Sequence, residues 1–167
     1  MAAGGDGWAA ANAATQASGP LVTAAVTAKC AGFTRAHAGE ILSVPEAAVT
    51  ERRTDITPTT RGCDYSAGAK KIAFSLALDS SAAETRRRFE DLRETYTIAG
   101  RAAEAAGKVL PQGAYTDILN VGEEALWSAT NESVAVRHKN LTILVMLPND
   151  KRTQAAIATK ILALLGS

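Results

Sequence analysis

Two switches of hydrophobic period constrain this chain more than anything else in it. In "KKIAFSLAL", Ile72, Phe74, Leu76 and Leu78 alternate with Ala73, Ser75 and Ala77, the period of two expected of a strand with one buried face. The next segment, "SAAETRRRFEDLRETYTIAGRAAEAAGK", places Phe89, Leu92, Tyr96, Ala99 and Ala103 at three- and four-residue spacing. That spacing predicts a long amphipathic helix. Its other face carries Arg86, Arg87, Glu90, Asp91, Arg93 and Glu94, read as a solvated surface joined by weak local pairs. The same switch recurs near the end. "LTILVML" is almost wholly apolar and predicts the most buried strand. A final helix follows, capped by Asn149 or Asp150, with Ile157, Ile161, Leu164 and Leu165 inward.

Weaker signals fill in the order helix, strands, helix, strands, helix. Residues 21–42 are mostly helical in pattern, with a break near Cys30, Gly32 and Phe33, an N-cap at Thr34 and a stop at Pro45. "AVTERRTDI" alternates weakly and is highly charged, which suits an edge strand. "ALWSAT", "SVAVRHK" and "LTILVML" read as a meander turning at Asn131-Glu132 and Lys139-Asn140, after a loop holding Pro111 and Gly113. The two halves share an aromatic-Ser-Ala, hairpin, apolar strand, helix order, a sign of internal duplication. The expectation is an α+β domain over residues 21–167: an antiparallel sheet of about five to six strands with helices packed on one face.

Length and composition narrow the setting. A chain of 167 residues, 47% hydrophobic and 21% charged, is long enough for one domain with a real core. Its formal net charge of +1 gives no electrostatic reason to expect nucleic acid or an anionic membrane. No apolar run approaches the ~20 residues of a membrane span. Residues 1–20 read as a flexible Ala/Gly-rich leader, and the chain as a mature form whose targeting segment is missing. Lipidation at Cys30 is disfavoured because Lys29 stands where a small residue is expected.

The chemical signatures are negative. His37 and His138 have no second ligand at helical or hairpin spacing, so no metal site and no cofactor is expected. No Gly-x-Ser-x-Gly elbow and no phosphate loop occurs. "SAGAKK" reads as a hairpin turn with solvated lysines, and the adjacent Glu123 and Glu124 would point to opposite faces of a strand. The two cysteines, Cys30 and Cys63, are too far apart for a redox or zinc Cys-x-x-Cys motif. By composition they stand equally well as buried thiols of a cytosolic protein or as one disulfide of a secreted one.

A resemblance separates these two readings. "CAGFTRAHAGEILSVP" resembles the pattern Cys-x-x-Leu-Thr-x-x-Glu-Ala-x-x-Ile-Leu-Gly-x-Pro, "GCDY" resembles Gly-Cys-x-Tyr, and "RRRFEDL" supplies the helix with its Phe. "VGEEALWSATNESVAVRHKNLTILVML" resembles a Gly-x-x-Ala-x-Trp segment followed by apolar strands. In this order, over about residues 28–165, they resemble a loose group of small bacterial extracytoplasmic proteins, many of them lipoproteins and many of unknown function. The resemblance implies a Cys30–Cys63 disulfide, a periplasmic or outer-envelope location, and a curved antiparallel sheet with helices on one side. It assigns no activity. Three positions depart from the pattern: His37 stands for Glu and leaves the Thr34 capping box incomplete, Phe33 stands for Leu, and Ser43 for the helix-ending Gly.

The expectation for function is therefore a non-enzymatic binding protein with a protein partner at the bacterial envelope, such as an immunity protein that neutralises a toxin. Edge strand and long loop are where such contacts form, which singles out Glu51, Arg52, Arg53 and Asp55, with Tyr115 and Asp117 in the 107–122 loop. A second expectation is an apolar-ligand carrier whose sheet–helix cleft is lined by Phe74, Tyr96 and Trp127. A hydrolase using His138 with Asp64 or Glu132 is the third.

Overall fold

The computed structural model describes residues 20–110 and 112–166; the leader read over residues 1–20 lies outside them except for Pro20. The elements run α1 (Ala24–Ala28), a 3-10 turn (Cys30–Gly32), α2 (Arg35–Leu42), β1 (Thr50–Thr57), β2 (Thr60–Ala67), β3 (Lys70–Leu78) and α3 (Ala82–Ala105). Then come β4 (Tyr115–Asp117), β5 (Glu124–Ser128), β6 (Ser133–His138), β7 (Leu141–Leu147) and α4 (Lys151–Leu165). A further 3-10 turn, Glu46–Ala48, leads into β1.

The α+β class stands, and among the described residues the sheet is antiparallel throughout, with seven strands in the order β1-β2-β3-β7-β6-β5-β4. Five to six were expected. The strand missed is β4, whose three residues are too few to show alternation. The two predicted turns join β5, β6 and β7, with Glu132 and Lys139 at positive φ. β1 lies at one edge as expected, and β7 lies at the centre between β3 and β6.

The helices do not share one face, which corrects that expectation. Ile72, Phe74 and Leu76 of β3, Leu141, Ile143 and Val145 of β7, and Val134 and Val136 of β6 belong to the larger core, with α2 and α4 (Leu42, Ile157, Ile161). The alternate residues Ala135 and Leu144, with Leu126 of β5, pack instead with Phe89, Leu92 and Tyr96 of α3. Period two sends neighbouring side chains to opposite faces, so α3 covers the face turned away from α4. Both faces of the central strands are apolar, and each recruits a helix. Each meander is followed by a helix, but the two helices cover opposite faces, and no duplication is shown.

Local capping agrees with sequence. Thr34 accepts from the His37 backbone N–H and begins α2, while the His37 Nδ1 accepts from the Thr34 backbone N–H at 3.2 Å. The imidazole completes the capping box that the absence of Glu was expected to leave open. Ser81 and Asp150 cap α3 and α4 through bonds from Glu84 N–H and Thr153 N–H. Ser43 ends α2 in the left-handed region at φ 54, a conformation that costs a side chain more than glycine.

The N-terminal segment is held by three ties. Cys30 and Cys63 form a disulfide. Beside it, the buried Tyr65 hydroxyl donates to the Phe33 carbonyl at 2.7 Å, and Phe33 packs edge-on against Tyr65 and Phe74 at centroid distances of 5.1 and 5.3 Å. At the other end of β3, the buried Asn140 accepts from Val22 N–H and donates to the carbonyls of Val22 and Asp79. Cys30, Ala31 and Gly32 all have positive φ, unfavourable for the first two, and the disulfide anchors this turn to the sheet.

Replacing both cysteines by serine removes a link across 33 residues of sequence. Chain entropy sets the loss at about 3–4 kcal/mol, read as a lower urea midpoint with an altered slope as the unfolded chain expands.

Candidate functional site

The residues expected to bind a partner fall into two groups at opposite edges of the sheet. Glu51, Arg52, Arg53 and Asp55 lie on β1, whereas Tyr115 and Asp117 lie on β4. They do not form one site. Even the β1 residues divide between faces. Glu51 and Arg53 sit opposite Tyr65 and Cys63, on the α2/α4 side, with the Arg53 Nε donating to Glu51 Oε1 at 2.6 Å. Arg52 sits opposite Asp64 on the other face. Asp55 pairs with Arg61 at 2.5 Å.

Sequence spacing could not locate the surface that the fold leaves open. α3 packs against β4, β6 and β7, reaching neither β1 nor β2 with more than marginal contact. The α3 face of β1–β2–β3 therefore carries exposed Thr50, Arg52, Asp64 and Lys71 around a shallow cavity of about 310 Å³, floored by Ala73 and bounded by Ser66 and Leu147. On its outer side, Ile56 is 56% exposed and lies over Gly62, where a Cβ would come within 3.3 Å of it. Small side chains lie on the sheet, and two cations and one carboxylate stand at the rim.

A second cavity, about 260 Å³, lies where α3 crosses β3 and β7. Ser75, Ala77, Phe89, Leu92 and Leu144 make most of its wall apolar, and Arg88 and Asp91 stand at its mouth. None of Phe74, Tyr96 and Trp127 lines it. Phe74 and Trp127 belong to the α4-side core and Tyr96 to the α3 side, so the three cannot form the cleft expected of them. Burial holds the Tyr96 and Tyr65 phenols above their ordinary pKa, the Glu51 charge adding to the effect at Tyr65.

α3 is fastened to the sheet as much by charge as by apolar contact. The Arg88 guanidinium reaches Asp79, whose side chain is 1% exposed, at 2.6 Å. The buried Arg137 on β6 bridges Glu123 and Glu124, and Arg93 from α3 adds Glu124 and Asp117 at 3.3 Å each. Arg93 also lies over the rings of Phe89 and Tyr115. The pairs expected on this helix to be local are thus partly tertiary. Glu123 and Glu124 act together on one arginine although they are neighbours in sequence, because Glu123 belongs to the turn before β5.

No arrangement for hydrolysis forms around His138. It ends β6, Glu132 lies at the far end of that strand, and Asp64 lies on β2, with β3 and β7 between. Burial and the Lys139 charge hold the imidazole below its usual pKa, against the weaker pull of Glu123. Among the described residues no three His, Cys, Asp or Glu are grouped to hold a metal ion, and no helix is long and apolar enough to cross a membrane. Comparison with protein-family models, curated proteins and solved structures returns no match.

Two outcomes follow from this electrostatic frame. Arg88→Met leaves the Asp79 carboxylate buried without its cation. It should cost about 2–3 kcal/mol, less than for a fully buried pair because Arg88 is half exposed. Adding Asp79→Asn should recover part of that loss in chemical denaturation. For His138, the lowered native pKa means that the unfolded chain takes up the proton first as pH falls below about 6.5. Stability is lost over that window, and His138→Gln should make the drop between pH 7.5 and 5.5 smaller than in the wild type.

Proposed function

We propose that the protein is a non-enzymatic binding protein of the extracytoplasmic bacterial envelope, engaging a protein partner through the uncovered face of β1, β2 and β3. The observation that carries this reading is the asymmetry of the sheet. α2 and α4 cover one face of β3, β7 and β6, and α3 covers the other face of β7 and β6, while this one presents Arg52, Asp64 and Lys71 to solvent around a floor of small side chains. The Cys30–Cys63 disulfide supports a location outside the reducing cytoplasm. A stapled sheet with a preformed, charged surface suits an inhibitor, and an immunity protein that occludes a secreted toxin is the specific form proposed. Rigidity of the surface lowers the entropy cost of such binding.

The second reading, carriage of a small apolar ligand, is favoured by the cavity under α3 at Phe89, Leu92 and Leu144. Native mass spectrometry of protein purified without detergent distinguishes it, through an added ligand mass that Leu92→Asp removes.

For the leading reading, the tagged protein is cross-linked in envelope extracts and the captured partner quantified. Arg52→Glu combined with Lys71→Glu should abolish capture. Tyr115→Ala with Asp117→Ala, at the opposite sheet edge, should leave it unchanged. Capture indifferent to the first pair would refute the proposed surface.

A further inference from the structure

We propose that the free edge of β1 pairs with β1 of a second copy, joining two sheets into one across a two-fold axis centred on Thr54. β1 is eight residues long, and among the described residues β2 is its one strand neighbour. Its backbone groups therefore face solvent along one side, a template for another strand. What occupies that template is decided by the charges along it.

On an antiparallel edge, residues whose N–H and C=O point outward alternate with those pointing inward. Outward residues pair only with outward residues, so a two-fold axis must pass through a residue pair rather than between two. Four such centres overlap at least five residues of each Thr50–Thr57 strand: positions 52, 53, 54 and 55. Centring on Arg52 sets Arg52 against Arg52. Centring on Arg53 sets Arg53 against itself and Glu51 against Asp55 twice. Centring on Asp55 sets two carboxylates together. Each of these registers puts like charges directly across the new ladder, which is destabilising.

The register centred on Thr54 has no such conflict. Thr54 faces Thr54, and Arg53 faces Asp55 of the second copy twice, both on the α2/α4 side of the sheet. Arg52 faces Ile56, giving the 56%-exposed Ile56 the aliphatic stem of an arginine to cover it. Thr–Thr and opposite-charge pairs are favoured cross-strand partners. The side chain of Arg53 is 42% exposed and that of Asp55 73%, so each can exchange or share its present pair, with Glu51 and Arg61 respectively, for the one across the new ladder. The slip in the β1–β2 register between Asp55 and Thr57 falls outside the central 53–55 pairs. Alternating charge usually protects an edge strand. Here the order Glu-Arg-Arg-Thr-Asp excludes three alignments and selects the fourth.

The charge pairs that select this register, Arg53 with Asp55, lie on the opposite face from the partner surface proposed above, with which the pairing shares Arg52. A two-fold axis normal to the sheet keeps both copies the same way up. The Arg52, Asp64 and Lys71 surfaces of the two copies would then adjoin on one side.

The test is charge reversal read by sedimentation velocity over a concentration series, with circular dichroism and thermal melts to verify the fold. The wild type is expected to show a concentration-dependent monomer–dimer equilibrium. Arg53→Asp and Asp55→Arg, each alone, set like charges across both ends of the ladder and should weaken self-association at least about tenfold. Mixing the two single variants restores Arg–Asp pairing in the heterodimer alone, so the mixture should associate where neither component does. The double variant Arg53→Asp/Asp55→Arg should dimerise like the wild type. A wild type that is monomeric throughout the series overturns the proposal, as do single variants that dimerise normally or a mixture that stays monomeric.

Discussion

The tie between the Cys30 turn and the β2–β3 hairpin is the constraint on which the rest of the larger core depends. α1 is five residues long and α2 eight, both too short to be stable helices by themselves. They persist because Cys63 holds Cys30, and because the Tyr65 hydroxyl satisfies the buried carbonyl of Phe33. Phe33 is thereby set between Tyr65 and Phe74 in the larger core, next to the turn that α4 also contacts. The same arrangement pays for a turn in which Cys30 and Ala31 adopt left-handed backbone. Breaking the link would relax that turn and expose aromatic surface that is now buried.

The two faces of the sheet are held by different physics. On the α4 side, burial is extensive and almost entirely apolar, so stability comes from area and packing. On the α3 side, the apolar contact is small, and Arg88, Arg93 and Arg137 provide fixed ion pairs with Asp79, Asp117, Glu123 and Glu124. Ion pairs orient a helix more than they stabilise it. α3 is thus well placed but lightly buried. It stops short of β1 and β2, leaving bare the surface proposed for partner binding.

Much of the fold was legible from the hydrophobic pattern alone. Period two at residues 72–78, the apolar run at 141–147 and the stripe from Phe89 to Ala103 specify β3, β7 and α3 because each is long enough for its period to emerge. The charged edge strand was legible for the same reason. β4 was not, since Tyr-Thr-Asp has no period. His37 was misjudged because a capping box was equated with Glu, whereas any acceptor at that position serves. The candidate site was legible only as residue types. Arg52 retains its proposed role, but Glu51 and Arg53 turn to the other face, and Tyr115 and Asp117 lie at the far edge. Phe74, Tyr96 and Trp127 looked like one cleft because aromatic character says nothing about which face of a sheet a side chain enters.

The sequence by itself determined the longer elements, the caps at Thr34 and Asp150 and the antiparallel meanders, since these follow from periodicity and short-range hydrogen bonding. Composition left the state of Cys30 and Cys63 open, and the structure joins them in a disulfide. Tertiary structure alone decided that β3 and β7 meet at the centre, that α3 and α4 take opposite faces, and that β1 and β2 keep one face bare. Those outcomes depend on strand order, which is set by contacts between residues far apart in the chain, and no local pattern encodes them.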